Sequence, residues 1–337
     1  MAAGFLATLA IGTPACAQAP QYHKIATIAL PGPAKWDYLD FDPATHRVYV
    51  SHGTEVTVVD VQSDKVIGEL QGTTGSHGIA IDPATGDVWA DSAAKRQAIA
   101  FDPKRFQPVA HVPVVLDADG MAYDPASRQI FVVGGDGQAV TPIDPASATA
   151  KPDIALGGSP EFLGVDGKGA LFVNIESTSE LVKIDTATDK IVARWPLAPC
   201  ESPKGMAVDA ADELVFSSCA NGKMAVVNGD TGAIVASPSI DTGTDAARYD
   251  AKTHLAFSSN SVGTLSVIGQ QDGEWRRLET VKTERGARTL ALNPANGDIY
   301  LVTAKVTGTT PPKTPGGHPW YQYAPGSLKL LVYAPAK

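Results

Sequence analysis

The sequence predicts an all-β fold built from seven similar units, and three observations lead to this prediction. One is a short pattern, seen in Ser-His-Gly-Ile-Ala-Ile-Asp at 76–82, where large and small residues alternate before a closing Asp or Asn. Another is the turn Asp-Pro-Ala-Thr or Asp-Pro-Ala-Ser that follows several of these patterns. The third is the spacing of 40 to 43 residues between successive closing residues, which are Asp42, Asp82, Asp124, Asp166, Asp209, Asp250 and Asn293. A repeat of this length is typical of a seven-bladed β-propeller with four-stranded blades.

Length, composition and charge restrict the domain count and the partners. Seven such units nearly use up the 337 residues, so we expect a single propeller domain over 18–337. The 32 Gly and 25 Pro residues suit a fold with many tight turns. A net charge of −9 and the lack of a basic run argue against binding to nucleic acid or to anionic membrane surfaces. We expect a monomer whose partner is a small molecule.

The first residues predict export from the cytoplasm. Residues 5–11 form a short apolar core, and Ala15-Cys16-Ala17 resembles a cleavage site, so 1–17 is interpreted as a signal peptide. Lipidation at Cys16 is an alternative, but Thr13-Pro14-Ala15 lacks the leucine that such sites usually carry. A disordered apolar tail is the other alternative. No other stretch is long enough to span a bilayer. The predicted location is therefore the periplasm or the extracellular space.

Both ends of the chain are expected to contribute to the last blade. Residues 23–30 alternate as a strand without a partner of their own, which favours a strand that completes blade 7 and closes the ring. In blade 7 about twenty residues separate the strand at 299–303 from the strand at 327–333. This insert, 305–326, is rich in Pro and Gly and contains His318, Trp320, Tyr321 and Tyr323. We interpret it as a packed lid over the top face.

The candidate site is a column of ionisable residues, each standing five positions before a closing residue. Since inner strands start at the top face of a propeller, equivalent positions should meet around the central channel. The seven residues, called the ring below, are Asp37, His77, Asp119, Glu161, Lys204, Asp245 and Arg288. The second strands end on the same face, with terminal residues His52, Asp91, Asn174, Glu176, Cys219 and Asn260. Such convergence predicts a binding site. The alternative is a set of ion pairs in a wet channel.

The ring residues suggest a divalent metal site. His77 with Asp37, Asp119 and Glu161 would suit Ca²⁺, Mn²⁺ or Zn²⁺ with an open position. With His77 neutral, four carboxylates face two cations, and a divalent ion would balance the difference. No Walker loop, H-E-x-x-H, G-x-S-x-G or C-x-x-C motif is present, and no organic cofactor is indicated.

The remaining ring and mouth residues receive roles from their chemistry. The predicted catalytic residues are His77, Glu161, Asp245, Lys204 and Arg288, with the two cations holding an anionic group or a developing oxyanion. The predicted substrate-binding residues are Trp36, His52, Asn260, His318 and Trp320.

Two further features stand out along the chain. Cys200 and Cys219 both lie at the top of blade 5, and in an oxidising compartment we expect them to pair; the alternative is two buried free thiols. Asp40 and Arg248 interrupt a column of small residues two positions before the closing residue. They could form a buried pair or line the channel.

Several stretches resemble the extracytoplasmic YVTN/YncE-type seven-bladed propellers. They are Trp-Asp-Tyr-Leu at 36–39, Tyr-Val-Ser-His-Gly-Thr at 49–54, His-Gly-Ile-Ala at 77–80, Pro-Glu-Phe at 160–162, Ala-Pro-Cys-Glu at 198–201, Gly-Ala-Arg-Thr at 286–289 and Pro-Gly-Ser at 325–327. The resemblance covers the whole mature chain and implies the propeller fold. One relative is associated with single-stranded DNA, a role that the acidic charge here opposes. Propeller lactonases share the architecture and hold a metal through Glu, Asn and Asp at the channel mouth, but their motif is absent here.

Two hypotheses of different classes follow. The first is an enzyme that uses a metal to act on a small oxygenated substrate, as in lactone hydrolysis, isomerisation or C–C lysis. The second is a non-catalytic propeller that binds a ligand or a protein on its top face. Metal content distinguishes the two hypotheses.

Overall fold

A computed structural model describes residues 21–312 and 318–336, and these form seven antiparallel sheets around a central axis. Each inner strand contacts the inner strand of the next blade, and the inner strand of blade 7 contacts that of blade 1. The predicted seven-bladed propeller is confirmed. The signal peptide predicted at 1–17 lies outside the described residues.

The strands fall into seven blades, and a closing residue stands at or just after the end of each inner strand. The first strand of the chain is β1 (Tyr22–Ala29). Blades 1 and 2 contain β2 (Leu39–Asp42), β3 (Arg47–His52), β4 (Glu55–Asp60), β5 (Lys65–Gln71), β6 (Ile79–Ile81), β7 (Val88–Ser92), β8 (Gln97–Asp102) and β9 (Gln107–Pro113). A 3₁₀ helix, Ala93–Lys95, connects β7 to β8.

Blades 3 to 6 repeat this arrangement, and only blade 3 has its outer strand in two short pieces. Blades 3 and 4 contain β10 (Ala118–Asp124), β11 (Gln129–Gly134), β12 (Ala139–Asp144), β13 (Thr149–Ala150), β14 (Ile154–Ala155), β15 (Pro160–Val165), β16 (Ala170–Ile175), β17 (Glu180–Asp185) and β18 (Lys190–Pro196). Blades 5 and 6 contain β19 (Pro203–Asp209), β20 (Leu214–Cys219), β21 (Lys223–Asn228), β22 (Ile234–Ala236), β23 (Thr244–Asp250), β24 (Leu255–Asn260), β25 (Thr264–Gln271) and β26 (Glu274–Lys282).

Blade 7 is completed by the N-terminal strand, as predicted. Its further strands are β27 (Leu290–Leu292), β28 (Ile299–Thr303), β29 (Val306–Thr310), β30 (Trp320–Tyr323) and β31 (Lys329–Pro335). The sheet order is β1-β31-β28-β27, with Tyr22 opposite Pro335 and Ala29 opposite Lys329. Strand β1 thereby covers the edge of β31, which would otherwise expose unpaired backbone groups.

The blade-7 insert is more regular than the sequence indicated. Strands β29 and β30 pair as a separate two-stranded hairpin, with Val306 opposite Tyr323 and Thr310 opposite Trp320. Alternating Thr and Tyr residues in these segments suit extended backbone, which the Pro and Gly content of the insert obscured. The tip at 313–317 lies outside the described residues.

The closing residues fix the turn after each inner strand. Asp42 accepts hydrogen bonds from the backbone N–H of Ala44 at 2.9 Å and from the hydroxyl of Thr45 at 2.6 Å. Asp82 does the same with Ala84 and Thr85. Asn293 accepts the N–H of Ala295 in the same way, so this local bonding explains why Asp or Asn precedes each turn.

Glycines allow neighbouring inner strands to approach closely. A Cβ on Gly78 would stand 2.8 Å from the carbonyl oxygen of Asp119, and one on Gly205 would stand 2.4 Å from the Cα of Ala246. The small residues in the repeat are therefore required by backbone contact between blades.

A β-bulge in several inner strands directs the ring residues towards the channel. In blade 3 the register with the second strand shifts between Ala118 and Met121, which encloses Asp119. Blades 4, 5 and 6 shift across Glu161, Lys204 and Asp245 in the same way. A bulge re-aims the side chain at the extra residue.

Two other structural predictions can be compared with the fold. Cys200 and Cys219 are joined as a disulfide with a Cα–Cα distance of 5.6 Å, which confirms their pairing. None of the helices in the described ranges is long and apolar enough to cross a membrane.

Candidate functional site

The ring residues meet at the top face and fall into three contacting groups. His77 Nδ1 lies 2.6 Å from Asp37 and 3.5 Å from Asp119. The other two groups are centred on the cations: Lys204 lies beside Glu161, and Arg288 lies beside Asp245. Arg288 also lies 3.9 Å from Asp37, which links its group to that of His77. All seven side chains are between 16% and 32% exposed, so a ligand at the mouth could reach them.

His77 is held by carboxylates on both sides. Burial lowers its pKa, but the hydrogen bond that its Nδ1–H donates to Asp37 and the charges of Asp37, Asp91 and Asp119 raise the pKa to about 9. His77 therefore carries a positive charge at neutral pH. This corrects the predicted charge balance, which assumed a neutral imidazole and only two cations.

The pKa values of two carboxyls near His77, Asp119 and Asp91, are raised. Burial and the charge of Asp37 raise the pKa of Asp119 to about 7, although His77 opposes the shift. Burial also raises the pKa of Asp91 well above its ordinary value. One Asp91 oxygen accepts the backbone N–H of His77 at 2.7 Å, which fixes the position of that residue.

Lys204 is shared between two glutamates. Its Nζ lies 2.6 Å from Glu176 and 3.3 Å from Glu161. Burial raises the pKa of Glu176, but Lys204 outweighs burial and holds it below its ordinary value. Burial raises the pKa of Glu161 well above its ordinary value; Lys204 opposes this shift, and the charges of Asp245, Asp119 and Glu176 add to it. Glu161 therefore holds its proton more tightly than Glu176 does.

Arg288 is fixed by an acid, a carbonyl and an aromatic ring. Its Nε lies 2.5 Å from Asp245, and it donates to the carbonyl of Trp36 at 2.9 Å. The guanidinium lies over the Trp36 ring at 5.5 Å, and Tyr323 of the hairpin packs edge-on against that ring. Trp36 is only 3% exposed, so it supports Arg288 and does not offer a face to substrate, contrary to its predicted role.

Two other residues predicted to bind substrate do not line the mouth. His52 is fully buried and lies 2.5 Å from the hydroxyl of Thr57, and Gly32 covers its ring. Asn260 is fully buried and donates to Thr264 and Ser266. Both predictions are corrected, because the side chains turn into the blade at the end of the second strand.

The hairpin brings its aromatic residues to the same face. The His318 ring lies 5.1 Å from that of Trp320, and its Cβ would stand 3.0 Å from a Cβ on Gly243, two residues before Asp245. His318 is half-buried and Trp320 is 54% exposed. Their substrate-binding role stays a prediction.

Three ring residues have donor atoms that are close enough to hold a metal. Ligand atoms of Asp37, His77 and Asp119 all lie within 4.8 Å of one another. Metal binding would require His77 to give up its proton, since imidazole coordinates only when neutral. Glu161, the fourth predicted ligand, is outside this group because Lys204 engages it. Within the described residues a second group, Asp209, Asp212 and His254, lies at the opposite face and is more exposed.

The sequence reasoning missed two residues that divide the channel below the ring. The Tyr38 and Phe162 rings, from blades 1 and 4, meet edge-on at 4.8 Å. Both stand four positions before a closing residue, where other blades have Gly, Ala or Thr. That contrast in size was the available signal. Beneath them a cavity of about 690 Å³ extends towards the bottom face.

Comparisons with known proteins identify the fold and no family. No protein-family model matches the chain, and no curated protein matches it. Among solved structures, the hydrazine synthase of Kuenenia stuttgartiensis is 15% identical with a TM-score of 0.70, covering 87% of this chain and 96% of the other. A streptogramin B lyase is 14% identical with a TM-score of 0.72, covering 94% and 98%. The WD40 repeats of RRP9 are 10% identical with a TM-score of 0.75, covering 93% and 100%. At these identities the likeness shows the propeller fold, and membership of the YVTN/YncE-type family stays a prediction.

Proposed function

We propose that the ring is a divalent-metal-dependent catalytic site that acts on a small, oxygenated and anionic substrate. The observation that carries this proposal is the group Asp37, His77 and Asp119. It joins three consecutive blades, and the fixed guanidinium of Arg288 lies 3.9 Å from Asp37. One imidazole with two carboxylates suits Mn²⁺ or Zn²⁺ better than Ca²⁺, which prefers oxygen ligands alone.

When bound, the metal would supply a Lewis acid for a substrate carbonyl or for an attacking water. The chain's own cations would orient the substrate. Asp245 and the Trp36 carbonyl hold Arg288 in place, so its remaining N–H groups can donate to a carboxylate or an oxyanion. Because these donors are held before substrate arrives, little reorganisation is needed during the reaction.

Glu161 is suited to act as a general acid. Burial raises its pKa well above the ordinary value, which favours the protonated form, and its contact with Lys204 places it in the ring. Together with a Lewis acid and an oxyanion-binding Arg288, a proton donor supports hydrolysis of a lactone, isomerisation, or a lyase reaction. Among the structural neighbours, one is named a lyase and one a synthase, so the same fold carries enzymes.

A non-catalytic binding propeller is the second candidate, and one observation favours it. With His77 protonated, the ring residues already neutralise much of one another's charge. A neighbour named for its WD40 repeats shares the fold as well. We propose a periplasmic or secreted location for either function, because the disulfide requires an oxidising compartment.

Turnover of a lactone panel tests the catalytic proposal. Protein stripped of metal and then reconstituted with Mn²⁺ or Zn²⁺ should hydrolyse at least one aliphatic lactone, and Glu161→Gln should lower kcat by about 100-fold or more. Glu180→Gln is the matched control, since Glu180 also contacts a cation but lies outside the ring. If metal-loaded protein binds an aliphatic hydroxy acid at the ring but turns over no lactone, isomerisation or lyase substrate, the binding propeller replaces the enzyme.

A further inference from the structure

The lower half of the channel contains two charged residues among small ones. Two positions before the closing residue, five blades have Ala or Gly, and the other two have Asp40 and Arg248. Both charged residues line the cavity of about 690 Å³ beneath the Tyr38–Phe162 contact. This volume is in the range of about 300–1,000 Å³ that is typical of small-molecule sites.

The guanidinium of Arg248 has more N–H donors than its two backbone acceptors use. Its guanidinium lies over the Phe162 ring at 5.5 Å and donates to the backbone carbonyls of Ala247 at 3.0 Å and Leu39 at 3.4 Å. Among the described residues, no carboxylate forms an ion pair with it within 4.0 Å. A guanidinium has five N–H donors, so a half-buried Arg248 retains the capacity to bind an anion.

The surrounding wall is mostly apolar. Phe162, Met121 and Met206 line the cavity, and Lys104 adds an exposed positive charge at its rim. The carboxylate of Asp42, which also lines the cavity, is engaged by the turn that follows it. Asp40 accepts the backbone N–H of Phe41 and forms no ion pair with Arg248.

We propose that this lower channel is a second ligand site, which takes a small organic carboxylate with an apolar body and binds its carboxylate through Arg248. The site is independent of the ring, because the Tyr38–Phe162 contact separates the two. Asp40 sets its selectivity: a negative charge near Arg248 weakens the attraction for an anion, so removing that charge strengthens binding.

Methionine NMR provides a local readout. The chain has 4 methionines, of which Met121 and Met206 line the cavity, whereas Met224 is fully buried elsewhere in blade 5. With ¹³C-methyl-labelled methionine, phenylacetate should shift the Met121 and Met206 signals and leave Met224 unchanged. Phenylacetamide has the same apolar body without the charge and should bind on the order of tenfold more weakly.

Three variants complete the test. Arg248→Met should weaken phenylacetate binding on the order of tenfold or more, and Asp40→Asn should strengthen it severalfold. Arg47→Met is the matched control, because Arg47 also lies over a phenylalanine and donates to a backbone carbonyl but does not line the cavity. Its affinity for phenylacetate should equal that of the parent.

Several results would overturn the proposal. They are an absence of methionine shifts, equal affinity of the parent for the acid and the amide, and unchanged binding in Arg248→Met. If Arg248→Met does not fold, Asp40→Asn decides alone: unchanged or weaker binding in that folded variant contradicts the proposal.

Discussion

Nδ1 of His77 lies 2.6 Å from Oδ2 of Asp37, although the two residues belong to different blades and stand 40 positions apart in the chain. The repeat creates this contact, because equal offsets from successive turns bring equivalent side chains to adjacent points around the axis. The pair also shows how the ring residues meet without a local sequence motif. Each residue is supplied by its own strand, so the candidate site forms only when the blades come together.

Because β1 completes blade 7 and closes the propeller, its buried and exposed residues should contribute differently to stability. Ile28 is 7% exposed and packs into a core with blade 1, whereas Ile25 on the same strand is 53% exposed. Ile28→Ala should lower the free energy of unfolding by about 2–4 kcal/mol, and Ile25→Ala should change it little. Urea unfolding measures both. Equal effects would show that β1 does not close blade 7 as described.

The disulfide is expected to stabilise the top of blade 5. It links residues 19 positions apart, so its removal in the double variant Cys200→Ser, Cys219→Ser should cost roughly 3 kcal/mol. Thermal unfolding with and without a reducing agent provides the comparison. The reducing agent should lower the unfolding temperature of the parent and leave that of the variant unchanged. An unchanged unfolding temperature of the parent argues against the disulfide.

The fold and the clustering of the seven ring residues were predictable because both follow from the repeat. Seven closing residues gave the blades, and a fixed offset gave the ring. The partners within the ring were not predictable from the offset. Whether Glu161 turns to His77 or to Lys204 depends on side-chain reach and on Glu176, which comes from a different strand.

Lys204 is expected to be more important for stability than a lysine that pairs with an exposed carboxylate. Lys204→Met would leave Glu161 and Glu176 without their shared cation, and should lower the free energy of unfolding by about 2–3 kcal/mol. Lys183→Met is the control, since Lys183 also joins two blades but pairs with Asp230, which is 56% exposed. Its effect should be much smaller. If the two variants are equally stable, the ring pairs are no stronger than surface pairs.

Burial was the second property that the sequence could not supply. From the sequence, the residues at the ends of the second strands were predicted to lie at the channel mouth. His52 and Asn260 instead turn inward and bond hydroxyl groups within their own blades. Strand alternation fixes which face a side chain occupies, and a bulge or twist at the strand end changes it. Only coordinates distinguish these cases.

Asp40 predicts a pH dependence. Burial raises its pKa above the ordinary value of 3.8, Arg248 opposes the shift, and Asp42 adds to it. The folded state therefore holds the proton more tightly than the unfolded chain, and stability is lost as pH rises through the folded pKa. Asn cannot ionise, so the free energy of unfolding of Asp40→Asn should rise relative to that of the parent between about pH 4 and about pH 7.5. Urea unfolding of both proteins at these two pH values tests the prediction. A difference in stability that is the same at both pH values contradicts it.

Manganese binding tests the central claim most directly. Metal-stripped parent protein is titrated with Mn²⁺, and free Mn²⁺ is followed by its EPR signal, alongside His77→Ala, Asp119→Asn and His254→Ala. We predict one Mn²⁺ per chain for the parent and for His254→Ala, which disrupts only the opposite-face group. His77→Ala and Asp119→Asn should bind at least about tenfold more weakly while keeping the parent's circular dichroism spectrum. Unchanged binding in both ring variants, or loss of binding in His254→Ala alone, would contradict a metal site in the ring.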